Sequence, residues 1–282
     1  MAIHRTKFKI AYFYILIFVV ACFYGAKLIN SACNYQEADK EYSKKEIVLQ
    51  EDKLRLAFNN GYISIYNGKI QLTENSGLAC FFSVKGVAYS SFKAIWKIEK
   101  AESGEFIAAA IWPGLTTRQT WHFLLKDRKI SWQVVLESDE DITINHVGLV
   151  FSFRNIYQEW VSAYAQGIMP VLKALQQRED VNLQVTLNAL GLIAADRDAR
   201  FFPMLGLSLG EGEFLNEVLL SSCRDMFTGS TFSSLAASGT DPLKMLKKEK
   251  LNLSSGEINL FDKKGDLLRY LEVKQKKIEI RK

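Results

Sequence analysis

Between Leu54 and Leu72 the chain breaks twice at an Asn-Gly pair, Asn60-Gly61 and Asn67-Gly68, and the residues around each break alternate. Leu54, Leu56 and Phe58 share one parity; Tyr62-Ile63-Ser64-Ile65-Tyr66 follows, then Ile70 and Leu72. A two-residue hairpin needs positive φ at its central positions, and Asn and Gly supply that at least steric cost. Two such turns, flanked by β-branched and aromatic residues, commit this stretch to an antiparallel meander.

The region from Arg118 to Phe153 extends the pattern. Trp121, Phe123 and Leu125 share a face, Asp127-Arg128-Lys129 turns the chain, and Ile130, Trp132, Val134 and Leu136 share the next face. Trp121 and Trp132 are therefore predicted to be core residues. After Ser138-Asp139-Glu140-Asp141, Ile142 and Ile144 hold one parity, whereas Val147, Leu149, Phe151 and Phe153 hold the other. A period of two changes parity only through an extra residue, which predicts a β-bulge or strand break near Asn145-His146.

Further along, VNLQVTL, RFFPMLGLSL, NEVLLSSC, LNLSSGEINLF and YLEVKQKKIEI read as strands. Helices are expected in two places. One or two run from Tyr157 to Leu175, broken at Gly167 and Pro170. Another opens at Asp241-Pro242-Leu243, with Asp at the N-cap and Pro at N1. The expected fold class is mainly β: an antiparallel sandwich or supersandwich with a few short helices and an N-terminal transmembrane helix. The expected boundaries are 1–33 for a basic tip and membrane segment, 34–46 for a polar linker, and 47–282 for the β-domain, with 47–160 and 180–282 as its candidate halves.

The leader carries the strongest statement about location. Arg5, Lys7 and Lys9 precede the apolar run IAYFYILIFVVACFYGA from Ile10 to Ala26. A basic segment ahead of such a run is an export signal or an anchor, and the charge asymmetry keeps the N-terminus cytoplasmic. Val19-Val20-Ala21-Cys22 also fits a lipobox, with Cys22 lipidated, and cleavage near Asn30-Ser31-Ala32 is a third route. An uncleaved single-pass anchor through residues 10–26 is the expectation, and every route places the bulk of the chain outside the cytoplasm. Of the other cysteines, Cys33 belongs to the leader; Cys80 and Cys223 are either a disulfide or two separate thiols in apolar strands.

The segments NGYISIYNGKIQLTENSGLACFFSVKG, AIWKI and IWPGLTTRQTWHFLLKDRKISWQVVLE carry a family resemblance. In their spacing of tryptophans and turns they resemble the β-sandwich modules of bacterial polysaccharide-processing proteins, which are similar to the supersandwich of galactose-mutarotase-like domains. The resemblance spans Lys53 to Trp160, with a weaker echo beyond. It implies an association with glycans and no particular reaction. The mutarotase active site needs a histidine pair and an acidic base, a set that is not aligned in this chain.

Candidate chemistry is sparse. Gly206-Leu207-Ser208-Leu209-Gly210 matches G-x-S-x-G, but no histidine follows His146, so the Ser-acid-His order is missing and Ser208 reads as a strand residue. Asp196-Arg197-Asp198 matches the D-x-D of metal-dependent glycosyltransferases, but the strand-helix alternation of a nucleotide-binding domain is missing; a charged turn is expected. His122 and His146 are weak catalytic candidates, His122 facing away from Trp121 and Phe123 and His146 at the bulge. Trp112 abuts the Pro113-Gly114 loop beside Arg118 and Gln119. A loop-borne indole among polar groups suits a shallow glycan site, which nominates Trp112, Arg118, Gln119 and His122. The alternative for Trp112 is an indole folded back over the sandwich edge.

From Leu243 onward, twelve Lys and Arg stand against six Asp and Glu, a surplus of six, against five for the whole chain. Such a surface suits an acidic polysaccharide or anionic lipid, and equally a solvated face with lysine-protected edges. No cofactor or metal is expected, and the extracytoplasmic location and the absence of a recognised motif argue against nucleic acid as a partner. The expected function is a membrane-anchored, extracytoplasmic, non-catalytic glycan module in exported or surface polysaccharide handling. The alternatives are a mutarotase-like carbohydrate-active enzyme and a structural protein that assembles with a protein partner.

Overall fold

A computed structural model describes residues 46–174, 176–183, 189–195, 201–209, 217–225, 228–239 and 241–279. The leader lies outside these residues, so the anchor, the lipobox at Cys22 and the linker do too. Among the described residues no helix is long and apolar enough to cross a membrane.

The meander forms a small sheet of β1 (Ile47–Glu51), β2 (Leu54–Asn59), β3 (Tyr62–Asn67) and β4 (Ile70–Gln71), in that order. Asn60 and Gly61 turn β2 into β3 with φ of 46° and 83°. Gly61 is required twice over, because a Cβ there would also meet Trp96 Nε1 at 2.6 Å and the Ser91 carbonyl at 2.8 Å.

The second sheet has nine antiparallel strands. Its central order starts with β20 (Lys250–Phe261), β10 (Lys129–Ser138), β9 (Thr117–Lys126), β8 (Glu105–Ile111) and β7 (Ile95–Glu102). On the other side of β20 come β16 (Met204–Leu209), β15 (Ala189–Ala194), β12 (Tyr157–Val161) and β13 (Gln166–Ile168). The third sheet runs β14 (Arg178–Leu183), β17 (Glu217–Arg224), β18 (Thr231–Gly239), β11 (Ile142–Arg154), β5 (Thr73–Val84) and β6 (Val87–Ser90), with β19 (Leu243–Met245) also on β11. Both large sheets join a block of strands from before residue 160 to a block from later in the chain, β10 to β20 in one and β11 to β18 in the other, so the two stretches share their sheets.

One continuous apolar core joins the inward faces of the sheets. At its centre Trp121 is fully buried, edge-on to Trp96 at 5.9 Å and stacked on Phe123, which stacks in turn on Phe106. Each such fully buried large apolar side chain contributes about 1.5–3 kcal/mol. Trp132 is buried as well, in line with its parity. The bulge falls where parity changes: the β11–β5 register shifts between Ile144 and His146, and Asn145 and His146 both face solvent.

Three secondary-structure expectations are corrected. The described residues from Tyr157 to Ala174 hold the hairpin β12–β13 and no helix; Ser162 closes its turn by accepting the Ala165 N–H at 2.9 Å. Strands this short show too few periods for alternation to register. The Asp241-Pro242 signal precedes β19, whose pairing with Ile142–Ile144 overrides the local cap. Of the terminal YLEVKQKKIEI segment, Tyr270 to Glu279 belong to the helix α1 (Lys264–Glu279). Leu267 and Leu271, four residues apart, are both fully buried against Val161 and Ala189. That i, i+4 contact outweighs the alternation visible at its end.

Helix α1 lies on the outer face of the nine-stranded sheet, over β15, β16 and β20. The sheet is notched to receive it. Gly191 and Gly206 are paired across β15 and β16, and a Cβ on either would lie 2.5–2.9 Å from the nearest side chains, Leu267 and Val161 in one case, Phe261 and Tyr270 in the other.

Candidate functional site

Alternation along β9 turns Arg118, Thr120 and His122 towards solvent, on the part of the outer face that α1 leaves open. The register carries this face across five strands: Lys100 lies opposite Ile107, then come His122, Gln133 and Ser255. One row further along the strands, Ser131 stands opposite Glu257. With about 4.8 Å between strands, His122 and Ser255 stand about 10 Å apart, with Gln133 between them. The result is a floor of small and amide side chains between two charged borders.

The first border is His122, Glu105 and Lys100. His122 Nε2 is 2.6 Å from one Glu105 oxygen, and Lys100 donates to the other at 2.5 Å while also facing Glu102 at 3.2 Å. The Lys100 hydrogen bond, then that of His122, holds the Glu105 carboxyl below its ordinary range, and the two glutamates raise Lys100. Both carboxylate oxygens are thus engaged. Arg118 pairs with Glu99 on the same face.

The second border stands at the foot of α1. The Glu257 carboxylate is largely buried, bonded to Lys274 and 3.4 Å from Lys129. Burial pushes this group up, but the lysines outweigh it and leave its pKa lowered. The Tyr270 hydroxyl is buried and close enough to Glu257 to feel its charge, yet forms no hydrogen bond of good geometry. Burial and that charge push its pKa far up.

Two nominated residues lie in the interior. Trp112 is buried at 4% exposure, edge-on to Phe82 at 5.0 Å, and its indole N–H donates to the Ser90 carbonyl at 3.1 Å. It folds back over the sandwich edge, so its faces are spent on the core. Gln119 shares the inward parity of Trp121 and accepts the Trp121 N–H at 2.6 Å. Arg118 and His122 do share the open face. His146 sits on the outer bulge of β11, in the other large sheet, so the two histidines are not brought together.

Cys80 and Cys223 are separate free thiols, with burial pushing Cys80 up to about 12. Ser208 lies within β16 opposite Glu257. The D-x-D segment is outside the described residues. Among the described residues no three His, Cys, Asp or Glu side chains are grouped to hold a metal ion. Glu105, Gln133 and Glu257 were not singled out from sequence. Parity alone puts them on a strand's polar face, but only the register says which strands adjoin.

A separate cleft of about 530 Å³ opens at the other end of α1, where β12, β15 and the approach to β16 meet the end of β20. Asn67, Gln158, Glu159, Phe201, Asp262 and Lys264 line it, above Pro203 and Met204. Phe201 is 60% exposed. The Tyr157 hydroxyl donates to the Pro203 carbonyl at 3.1 Å and fixes the strand entry behind the cleft. Its charged groups are loosely paired, Glu159 with Lys264 at 4.0 Å and Asp262 with Arg128 at 3.9 Å.

No protein-family model and no curated protein matches the chain. Solved structures do. A candidate aldose 1-epimerase from Klebsiella pneumoniae superposes with a TM-score of 0.57 at 8% identity, over 80% of this chain and 82% of that one. A galactose mutarotase-like protein from Lactobacillus casei gives 0.53 at 6% identity, over 77% and 100%. A candidate aldose 1-epimerase from Escherichia coli K12 gives 0.53 at 9%, over 77% and 98%. The fold is a galactose-mutarotase-like β-sandwich. At these identities the likeness reaches the arrangement of strands and not the side chains. That fold is the one the turn and tryptophan spacing of residues 53–160 suggested.

Proposed function

We propose that this chain is a membrane-anchored, extracytoplasmic glycan-associated module. Its binding face is the open floor between His122 and Glu257, and it binds without catalysing a reaction. The observation that carries the reading is the placing of His122, Gln133, Ser255 and Ser131 on one solvent-facing surface of a mutarotase-like sandwich. Amide and hydroxyl groups spaced along adjacent strands match the hydroxyls of a sugar chain, and the bordering ion pairs fix its rim. The non-catalytic part rests on two features. Glu105 has one oxygen on His122 and the other on Lys100, and Glu257 is held by Lys274 and Lys129, so the carboxylate on each border is engaged by the protein's own cations and His122 by Glu105. The basic segment before residues 10–26 supports an anchor with the β-domain outside.

The test is calorimetric titration of the full chain in detergent with neutral and acidic oligosaccharides, beside His122→Ala and Gln133→Ala. Saturable binding weakened in both variants supports the face. NMR exchange between sugar anomers, run with the same protein, separates the roles: a rate equal to buffer supports a binding module, and acceleration supports a mutarotase-like enzyme. A protein partner is the second reading. It is favoured by the cross-strand pair Ile95 and Ile111, both above 40% exposed beside the edge strand β7. Failure of every sugar to bind would transfer the assignment to that edge.

A further inference from the structure

We infer that the cleft beside the start of α1 is a second binding site, independent of the open floor, that takes a neutral sugar ring stacked on Phe201. The volume of about 530 Å³ suits a ligand of one or two rings. Phe201 is 60% exposed although phenylalanine is costly to leave in water, and it faces this cleft instead of the core. The adjoining Phe202 also lines the cleft and has the Arg154 guanidinium 5.9 Å over its ring. An aromatic face with Pro203 and Met204 behind it receives the C–H face of a pyranose.

The rim decides the class of ligand. Glu159 and Asp262 are both more than half exposed, and their nearest cations stand 3.9–4.0 Å away. Their oxygens therefore keep lone pairs free to accept hydrogen bonds from paired hydroxyls, while Gln158 and Asn67 offer amides. Lys264 and Arg128 only balance these two carboxylates, so the described rim has no surplus of positive charge to draw phosphate, sulfate or uronate, and a wholly apolar ligand would strip water from both carboxylates without compensation. A neutral, hydroxyl-rich ring is the chemistry left. Helix α1 separates this cleft from the floor at His122, so the two sites are dissected by separate variants.

The experiment is calorimetric titration of the full chain in detergent with cellotriose, galactotriose and an oligogalacturonate of equal length. Wild type is compared with Phe201→Ala, Glu159→Gln/Asp262→Asn and His122→Ala. Phe201 is exposed, so its replacement leaves the core intact, and thermal unfolding checks this. A neutral trisaccharide should bind roughly three- to tenfold more weakly in Phe201→Ala, the range expected for one aromatic contact, and more weakly in the double variant. His122→Ala should leave that component unchanged. Equal binding by wild type and Phe201→Ala, tighter binding of the oligogalacturonate, or no binding of any neutral sugar overturns the inference. A loss confined to His122→Ala overturns the cleft while upholding the open floor.

Discussion

The outer face of the nine-stranded sheet is two surfaces on one scaffold. Over β15 and β16 it carries Gly191, Gly206 and Ala189, and α1 sits down on it; over β8, β9 and β10 it carries Glu105, Arg118, His122 and Gln133, and no described helix covers it. The difference is side-chain size and charge. Small residues let Leu267, Tyr270 and Leu271 approach and bury apolar surface, while charged and amide groups retain water until a ligand replaces it. Glu257 and Lys274 stand at the boundary and tie the helix to the sheet.

That contrast can be broken most strongly from the helix side. Leu271→Ala removes a fully buried side chain and should cost about 2–5 kcal/mol, read as a lower midpoint of urea unfolding. Gly206→Val places a Cβ 2.5 Å from Phe261 and should cost about 1–3 kcal/mol in the same assay, since helix or strand must shift.

The boundary responds to pH. Glu257 has a lowered folded pKa, so its stabilisation is complete above the ordinary carboxyl value of 4.5 and is lost as pH falls through the lower folded value. Melting temperature of the wild type should therefore drop more steeply below pH 4.5 than that of Glu257→Gln. Parallel acid limbs for the two proteins would remove Glu257 as the tie. The smallest effect belongs to the open side. Glu105→Gln breaks the pairs with Lys100 and His122, but these groups are solvated, and no change in melting temperature at pH 7 is expected. A clear drop there would mean the open face is structural after all.

How much of this was legible depends on the range over which each signal acts. Asp127-Arg128, read as a turn, takes φ of 56° at both residues, and the parity change at Asn145-His146 marks a real bulge. Trp121 and Trp132 are core residues, as their alternation requires. Trp112 was open between two readings because a residue at a strand end has no neighbouring parity to fix its direction; contacts with Phe82 and Tyr89 settle it. The helix α1 was hidden because its lysine-rich half shows no apolar stripe, and its two decisive leucines matter only against Val161 and Ala189. Half of the candidate site was likewise unreadable: Glu105 follows His122 in space but precedes it by seventeen residues in the chain.

By itself the sequence determined that this is an antiparallel β protein, where its tight hairpins turn, where one strand changes face, and which tryptophans of β9 and β10 point inward. Those properties follow from φ preferences and a two-residue period, which act within a few residues. Tertiary structure alone decided that β20 lies beside β10, more than a hundred residues away in sequence, that α1 rests on a glycine notch, and that His122 meets Glu105 while His146 faces away on another sheet. Strand partners so distant are chosen by how all inward faces fill one core together, and no local pattern encodes that sum.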